Sequence, residues 1–214
     1  ILNVSLEEAR RRIRTGSPEA AASIEGSFAL VAREGRSARL ARSLDRPLRY
    51  FLAKQEDGPV LVVSDRIGAI AAWLRREGLD GQFHPSYTRM VPAHHVLTIE
   101  IVGCPDPAPT CERFFTPEMA TAGTDRDALG GRYVGALADE IGRWLRAVPA
   151  EEPIGVCFSG GVDSGAVFLV MDHVVRALGM SPARLKAFTL SAGGGADLAQ
   201  AREFLRVLGL EMFL

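Results

Sequence analysis

A glycine-rich loop between a short apolar run and a helical pattern constrains the fold of this 214-residue chain most strongly. Residues Ile154 to Phe158 predict a buried strand, and Gly165 to Leu178 place apolar residues on one face of a helix. The segment SGGVDS, residues Ser159 to Ser164, joins them. A second strand, Leu185 to Leu190, and a helix, Leu198 to Leu208, follow. This order predicts a parallel sheet with right-handed crossovers.

The SGGVDS loop has the chemistry of an anion cradle. Its glycines let successive backbone N–H groups face inward, and the following helix adds the positive end of its dipole. Ser159 and Ser164 add hydroxyl donors. Asp163 would repel a phosphate unless a divalent cation lay between them, so the loop predicts a magnesium nucleotide rather than a purely structural turn. The loop has neither the lysine of a Walker A loop nor the third glycine of a dinucleotide fingerprint.

The loop resembles the PP-loop, SGGxDS, of the N-type ATP pyrophosphatases. Residues Phe188 to Ala201 resemble the next strand and helix start of the glutamine-dependent asparagine synthetases. The first half is similar to the later part of that family's N-terminal glutaminase domain. The pieces that carry this similarity follow in the family's order: Glu25 to Leu30, Ala41-Arg42, Arg46 to Tyr50, Val63-Ser64 and Val91 to Leu97. The resemblance therefore covers nearly the whole chain.

The resemblance implies an enzyme that activates a carboxylate with ATP and Mg²⁺ as an acyl adenylate, releases pyrophosphate, and lets ammonia or an amine capture the acyl group. Asp163 would ligate the magnesium. Phe158 and Leu190 would flank the adenosine at the ends of adjacent strands. The residues implied to grip the pyrophosphate are Ser159, Gly160, Gly161, Asp163 and Ser164. No catalytic residue is assigned in this chain, since the family's acceptor-binding part would lie beyond Leu214.

The chain departs from the family in its glutaminase half. None of its three cysteines lies near the start, where the family has its nucleophile, and the Asn-Gly-Glu glutamine pocket is missing. The aspartate expected near Ser5 to Glu8 is also absent. Either these parts precede Ile1, or glutamine hydrolysis is lost, as in the related β-lactam synthetases. Three readings stay open: an asparagine-synthetase-like amidoligase using aspartate or a related acid and glutamine, a β-lactam or macrolactam synthetase, and a nucleotide-binding module without catalysis.

Hairpin signals in the first half predict antiparallel sheets, and the proline-rich stretch after Gly103 predicts a boundary. We therefore expect an α+β, Ntn-hydrolase-like domain over residues 1–103, a linker over 104–124, and an α/β PP-loop domain over 125–214. Both domains are expected to be incomplete. We also expect a strand from Met212 onward and core positions for Trp73 and Trp144.

The charge and the cysteine content indicate which classes of partner and which cellular compartment to expect. The chain has 25 basic and 26 acidic residues, so no overall positive field favours nucleic acid. No apolar run is long enough to span a membrane, and the start lacks a secretory signal. Three cysteines without metal-ligand spacing favour the cytoplasm, and we expect Cys157 to be buried. The pair His94-His95 and the cysteines Cys104 and Cys111 do not favour a metal site. The oligomeric state stays open, with a homo-oligomer among the options.

Overall fold

The chain folds into two compact units. The computed structural model describes residues 1–102, 108–117, 123, 125–191 and 195–213. Unit 1 is Ile1–Met119 and unit 2 is Ala120–Leu214.

Unit 1 is built on two antiparallel sheets, with strand orders β1-β2-β6-β7 and β4-β3-β5. Its helices and strands in chain order are α1 (Leu6–Arg14), α2 (Pro18–Ala22), β1 (Ala29–Glu34), β2 (Ser37–Arg42), β3 (Arg49–Gln55), β4 (Gly58–Ser64), α3 (Ile67–Arg76), β5 (Arg89–Met90), β6 (His95–Glu100) and β7 (Thr110–Arg113).

The apolar residues of unit 1 arrange these elements in four layers, helix, sheet, sheet, helix. Alternation along β2 explains the order, because Ala41 faces α1 and α2 while Leu40 faces the second sheet. Tyr50 of β3 lies in the core between the two sheets. Its neighbour Phe51 points the other way, against Ile70 of α3. Each sheet is therefore buried on both faces at its central strands.

Unit 2 is a parallel α/β unit. Strands β8 and β9 pair in parallel from Ile154↔Leu185 to Cys157↔Phe188. The three helices and both strands contribute to one hydrophobic core that includes Leu145, Phe168 and Leu205. The elements of unit 2 are α4 (Arg126–Ala147), β8 (Ile154–Cys157), α5 (Val162–Ala177), β9 (Leu185–Phe188) and α6 (Asp197–Val207).

The two-stranded sheet of unit 2 is covered on one face only within the described residues. Ile154 and Val156 of β8 are buried, whereas the alternate residues Gly155 and Cys157 are exposed. The prediction that Cys157 is buried is therefore wrong. An apolar strand suggests burial on both faces, but strand alternation places Cys157 on the face opposite the helices.

Two other local predictions differ from the structure. The end of the chain, predicted as a strand from Met212, forms a 3₁₀ turn over Glu211–Phe213. Its apolar character serves packing, since Phe213 is 4% exposed and its ring lies 5.9 Å from that of Phe168. Trp144 was expected in the core but is 40% exposed, because Ile141 and Leu145 take the inward positions of α4.

Part of the segment predicted as a linker is strand β7. It pairs with β6 from His95↔Arg113 to Thr98↔Thr110 and forms the edge of the first sheet. All four of its residues are exposed, so it shows no apolar alternation that would have marked it as a strand. Gly103 and Cys104 lie outside the described residues. Among the helices of the described chain, none combines the length and apolarity needed to cross a bilayer.

Candidate functional site

The SGGVDS loop leaves the carboxyl end of β8 and runs directly into α5. Gly160 has a φ of +77°, which a side chain would strain, and Gly161 is the N-cap residue of α5. Among the residues that the structure describes, no side chain caps this helix end. The first backbone N–H groups of α5 consequently have no intrahelical partner and point out of the helix, where an anion can accept from them.

The two serines of the loop hold each other. The hydroxyls of Ser159 and Ser164 lie 3.1 Å apart, and the backbone N–H of Ser159 donates to the Ser164 hydroxyl at 3.2 Å. The Ser164 hydroxyl in turn lies within 3.3 Å of the Gly161 carbonyl. These contacts link the first residue of the loop to its last.

Helix α6 packs directly against the loop at Gly160. A Cβ at this position would lie 2.6 Å from the backbone nitrogen of Ala201 and 2.8 Å from its Cα. The Gln200 side chain donates its Nε2–H to the Gly160 carbonyl at 3.1 Å. Only glycine therefore fits here, both because φ is positive and because another backbone occupies the space of a side chain.

Phe158 lies at the predicted position, but its side chain faces the core. It is 2% exposed, and its ring centroid lies 5.4 Å from those of both Phe168 and Phe204. Its N–H donates to the carbonyl of Phe188 at 2.8 Å, and its own carbonyl accepts from the Thr189 hydroxyl at 2.7 Å. Phe158 thus anchors the loop to the core and to the next strand, and its ring is not available to stack on a base.

Leu190 and Asp163 remain open to solvent at this end of the sheet. Leu190 is 88% exposed and follows β9. Asp163 lies in the first turn of α5, and within the described residues its carboxylate has no hydrogen-bond or ion-pair partner. The structure thus brings the loop residues together around the start of α5, with one carboxylate beside the exposed N–H groups.

A magnesium ion bound here would need ligands from its nucleotide. Among the described residues, no group of three or more His, Cys, Asp or Glu side chains is placed to hold a metal ion. Mg²⁺ commonly takes only one or two carboxylates and completes its shell with substrate phosphates and water. A single exposed carboxylate beside an anion cradle fits this arrangement.

Two residues that shape the loop from outside it, Gln200 and Thr189, were not predicted as part of the site. Gln200 lies on α6 and Thr189 directly after β9. Both are in the segment Phe188 to Ala201 that carries the resemblance, so their identity was visible. Their hydrogen bonds to the Gly160 and Phe158 carbonyls span more than 30 residues of chain, and no local pattern predicts such contacts.

Comparison with known protein families bears on the part of the chain that contains this loop. Residues 144–213 match the asparagine synthase family model. The match contains the SGGVDS loop, both strands of unit 2 and α6, and it supports the resemblance drawn from the sequence. The asparagine synthase match covers about a third of the chain and lies within unit 2. The similarity of unit 1 to a glutaminase domain stays a prediction. No curated protein matches the chain significantly.

The remaining residues considered as site candidates belong to unit 1. The His94 ring packs beside Phe115 with 4.9 Å between centroids, and His95 Nδ1 lies 2.7 Å from the Ala93 carbonyl. Cys111 is exposed on β7. Ser5 is the N-cap of α1, accepting from the Glu8 N–H at 3.2 Å, so the segment expected to hold the family's aspartate begins a helix.

Proposed function

We propose that this chain is part of an ATP-dependent amidoligase of the asparagine synthetase type. The observation that carries the proposal is the SGGVDS loop at the uncapped start of α5, inside the segment that matches asparagine synthase. The reaction would form a C–N bond by activating a carboxylate and capturing it with ammonia or an amine.

Each group of the loop has a task in this proposal. The N–H groups at the start of α5 and the hydroxyls of Ser159 and Ser164 would hold the β- and γ-phosphates of ATP. Asp163 would ligate Mg²⁺, which supplies charge neutralisation for the phosphates when bound. Backbone groups around Phe158 and Leu190, at the ends of the two strands, would lie beside the adenosine.

The chemical step follows from what such a cradle stabilises. A carboxylate oxygen of the acceptor, aspartate or a related acid, attacks the α-phosphorus, and the bond from that phosphorus to the bridging oxygen breaks. Pyrophosphate leaves with the electron pair, and an acyl adenylate remains. Donors fixed at the loop stabilise the negative charge that accumulates on the departing pyrophosphate without reorganising. The nitrogen nucleophile then displaces AMP.

Unit 1 would belong to a glutaminase-like domain of the Ntn type. Its two antiparallel sheets packed between helix layers support this assignment, together with the family's segment order in the sequence. Ammonia from glutamine would then be the nitrogen source. We further propose a cytoplasmic protein with small-molecule partners.

The test of nucleotide binding uses the whole chain and the variant Asp163→Asn. Loss of one charge from a metal-bridged phosphate should weaken Mg²⁺-dependent ATP binding about tenfold in calorimetric titration. ATP binding in EDTA should change little. Asp139→Asn, an exposed aspartate on α4, is the matched control and should leave both titrations unchanged. Equal behaviour of the two variants would refute the role given to the loop.

Catalysis is tested by exchange of labelled pyrophosphate into ATP in the presence of aspartate and other acids. Exchange stimulated by an acid and abolished by Asp163→Asn supports an acyl adenylate. Binding of ATP with no exchange for any acid points to a nucleotide-binding module without catalysis. Formation of a cyclic amide without added ammonia or glutamine points to a β-lactam or macrolactam synthetase.

A further inference from the structure

Strand β3 of unit 1 has a gap along one edge. At one end of the gap, the Val91 N–H donates to the Leu48 carbonyl at 2.9 Å, and Tyr50 pairs with Arg89 of β5. Strand β5 is only two residues long and pairs no further along β3. Within the described ranges, the edge beyond Tyr50 therefore has no partner strand.

At the other end of the gap, a side chain takes the place of a strand. The Lys54 N–H donates to Gln82 Oε1 at 2.8 Å, and Gln82 Nε2 donates to the Lys54 carbonyl at 2.7 Å. A planar amide thus satisfies both backbone groups of one edge residue. This edge of β3 therefore already pairs with one amide group, the side chain of Gln82.

Leu52 lies between these two points. Alternate residues of an antiparallel strand present their N–H and C=O groups to the same neighbour, so Leu48, Tyr50, Leu52 and Lys54 all face this edge. Within the described chain, no residue bonds the N–H or C=O of Leu52 on that side. Leu52 offers one donor and one acceptor, spaced for one amide-bearing residue.

A cavity of about 380 Å³ lies over this part of the edge. The residues that line this cavity include Tyr50, Leu52, Gln82, Ser86, Tyr87 and Arg89. If β5 continued, residue 87 would pair with Leu52, since Arg89 pairs with Tyr50. A 3₁₀ turn over Pro85–Tyr87 diverts the chain instead and leaves that position open.

The charge at the cavity is positive. Arg89 is exposed, and its guanidinium has no hydrogen-bond or ion-pair partner among the described residues. We consider a ligand residue that takes the place of residue 87 beside Leu52 and runs in the same direction as β5. The carboxyl end of this ligand would point toward Arg89. Its terminal carboxylate would accept from the Leu52 N–H and meet the guanidinium, a charge-assisted contact.

We propose that this edge binds a small N-acylated α-amino acid. The amide N–H of the ligand donates to the Leu52 carbonyl, and its α-carboxylate accepts from the Leu52 N–H and from Arg89. The proposal concerns unit 1 alone and does not depend on the SGGVDS loop. Its outcome is therefore separate from that of the nucleotide experiments.

The test uses N-acetyl-L-alanine as the probe with the ¹⁵N-labelled whole chain. We expect saturable shifts of the backbone amide resonances of Leu52 and Arg89. N-acetyl-L-alanine amide, which lacks the carboxylate charge, and propanoate, which lacks the amide, should each bind at least about tenfold more weakly. Shifts elsewhere, or no saturable shifts with N-acetyl-L-alanine, would overturn the proposal.

A pair of variants tests the role of the guanidinium. Arg89→Gln should raise the dissociation constant of N-acetyl-L-alanine about tenfold. Arg75→Gln, which removes an exposed arginine on α3, is the matched control and should leave it unchanged. Both sites are exposed, so both variants should fold, which an unchanged spectrum outside the cavity would verify. Equal affinities in the two variants would also overturn the proposal.

Discussion

The two units bury their sheets in different ways. In unit 1, residues on both faces of β2 and β3 are buried, because each sheet lies between the other sheet and a helix layer. In unit 2, the described elements cover one face, and Cys157 and Phe188 are exposed on the other. The loop at the end of β8 therefore depends on a core built from one side.

The largest expected effect is on that one-sided core. Phe168→Ala removes a fully buried ring of α5 that packs on Phe158 and Phe213. We expect a loss of about 3–5 kcal/mol in the free energy of unfolding of unit 2, from lost transfer free energy and the cavity left behind. Denaturant unfolding followed by the fluorescence of Trp144, in a background with Trp73→Phe, measures it.

The neighbouring Leu169 supplies the control for Phe168. Leu169 is 38% exposed on the same helix, so Leu169→Ala should cost less than about 1 kcal/mol. In the reciprocal background with Trp144→Phe, Trp73 reports unit 1, whose midpoint should not move with either variant. If Phe168→Ala and Leu169→Ala shifted the denaturation midpoint of unit 2 equally, this result would contradict the one-sided core.

The next effect isolates the contact between the loop and α6. Gly160→Ala places a Cβ against the backbone of Ala201 at a positive φ, and we expect a loss of about 2–4 kcal/mol, together with loss of Mg²⁺·ATP binding. Gly179→Ala shares the positive φ, +68°, but its Cβ would meet open space. It should cost only about 1 kcal/mol and leave ATP binding intact. Thermal unfolding and calorimetry compare the two.

A smaller effect concerns backbone strain in unit 1. His94 is the non-glycine residue with a positive φ, +59°, among the described residues, and its ring contacts Phe114 and Phe115. His94→Ala loses the ring but keeps the strain, whereas His94→Gly loses both. We expect the glycine variant to be more stable than the alanine variant by about 1 kcal/mol in denaturant unfolding. The reverse order would show that the turn is not strained.

The smallest effect is a pH dependence, also in unit 1. A hydrogen bond from Ser27, and then one from Ser43, lower the pKa of Asp45 below its ordinary value of 3.8. Because the folded-state pKa is lowered, the stabilisation is complete above the ordinary pKa and is lost as the pH falls through the folded-state value. The stability difference between wild type and Asp45→Asn should therefore be present at pH 7 and shrink below about pH 4.

Removal of the donor provides the control for Asp45. In a Ser27→Ala background, the pH-dependent part of the difference should become smaller, because the strongest hydrogen bond to the carboxylate is gone. Urea midpoints measured from pH 7 to pH 3 would show it. A pH-dependent part of the same size in that background would contradict the assigned cause.

Local signals predicted the regular elements of both units well. Strand β2, Ser37–Arg42, belongs to one of the hairpins expected in the first half, because alternation and a tight turn define a hairpin within a few residues. The strand, loop and helix around SGGVDS were found for the same reason. Where a segment lacked such a pattern, prediction failed. Strand β7 is an exposed edge strand without apolar alternation. The apolar residues at the end of the described chain form a 3₁₀ turn that packs through Phe213, not the strand that was expected.

Properties that depend on distant partners were not predictable from the sequence. The burial of the Phe158 ring depends on Phe204 of α6, and the exposure of Cys157 depends on which face the helices cover. The same holds for the Gln82 carboxamide on the edge of β3, more than 25 residues away in the chain. These contacts arise from the tertiary arrangement, which periodicity does not encode.

Because Ala201 lies close to Gly160, helix α6 limits which residues the loop can have at position 160. Ala201 is fully buried, and its backbone occupies the space that a side chain at position 160 would need. A side chain at position 160 would fit only if α6 moved away, so the identity of one loop residue and the placement of a later helix are linked.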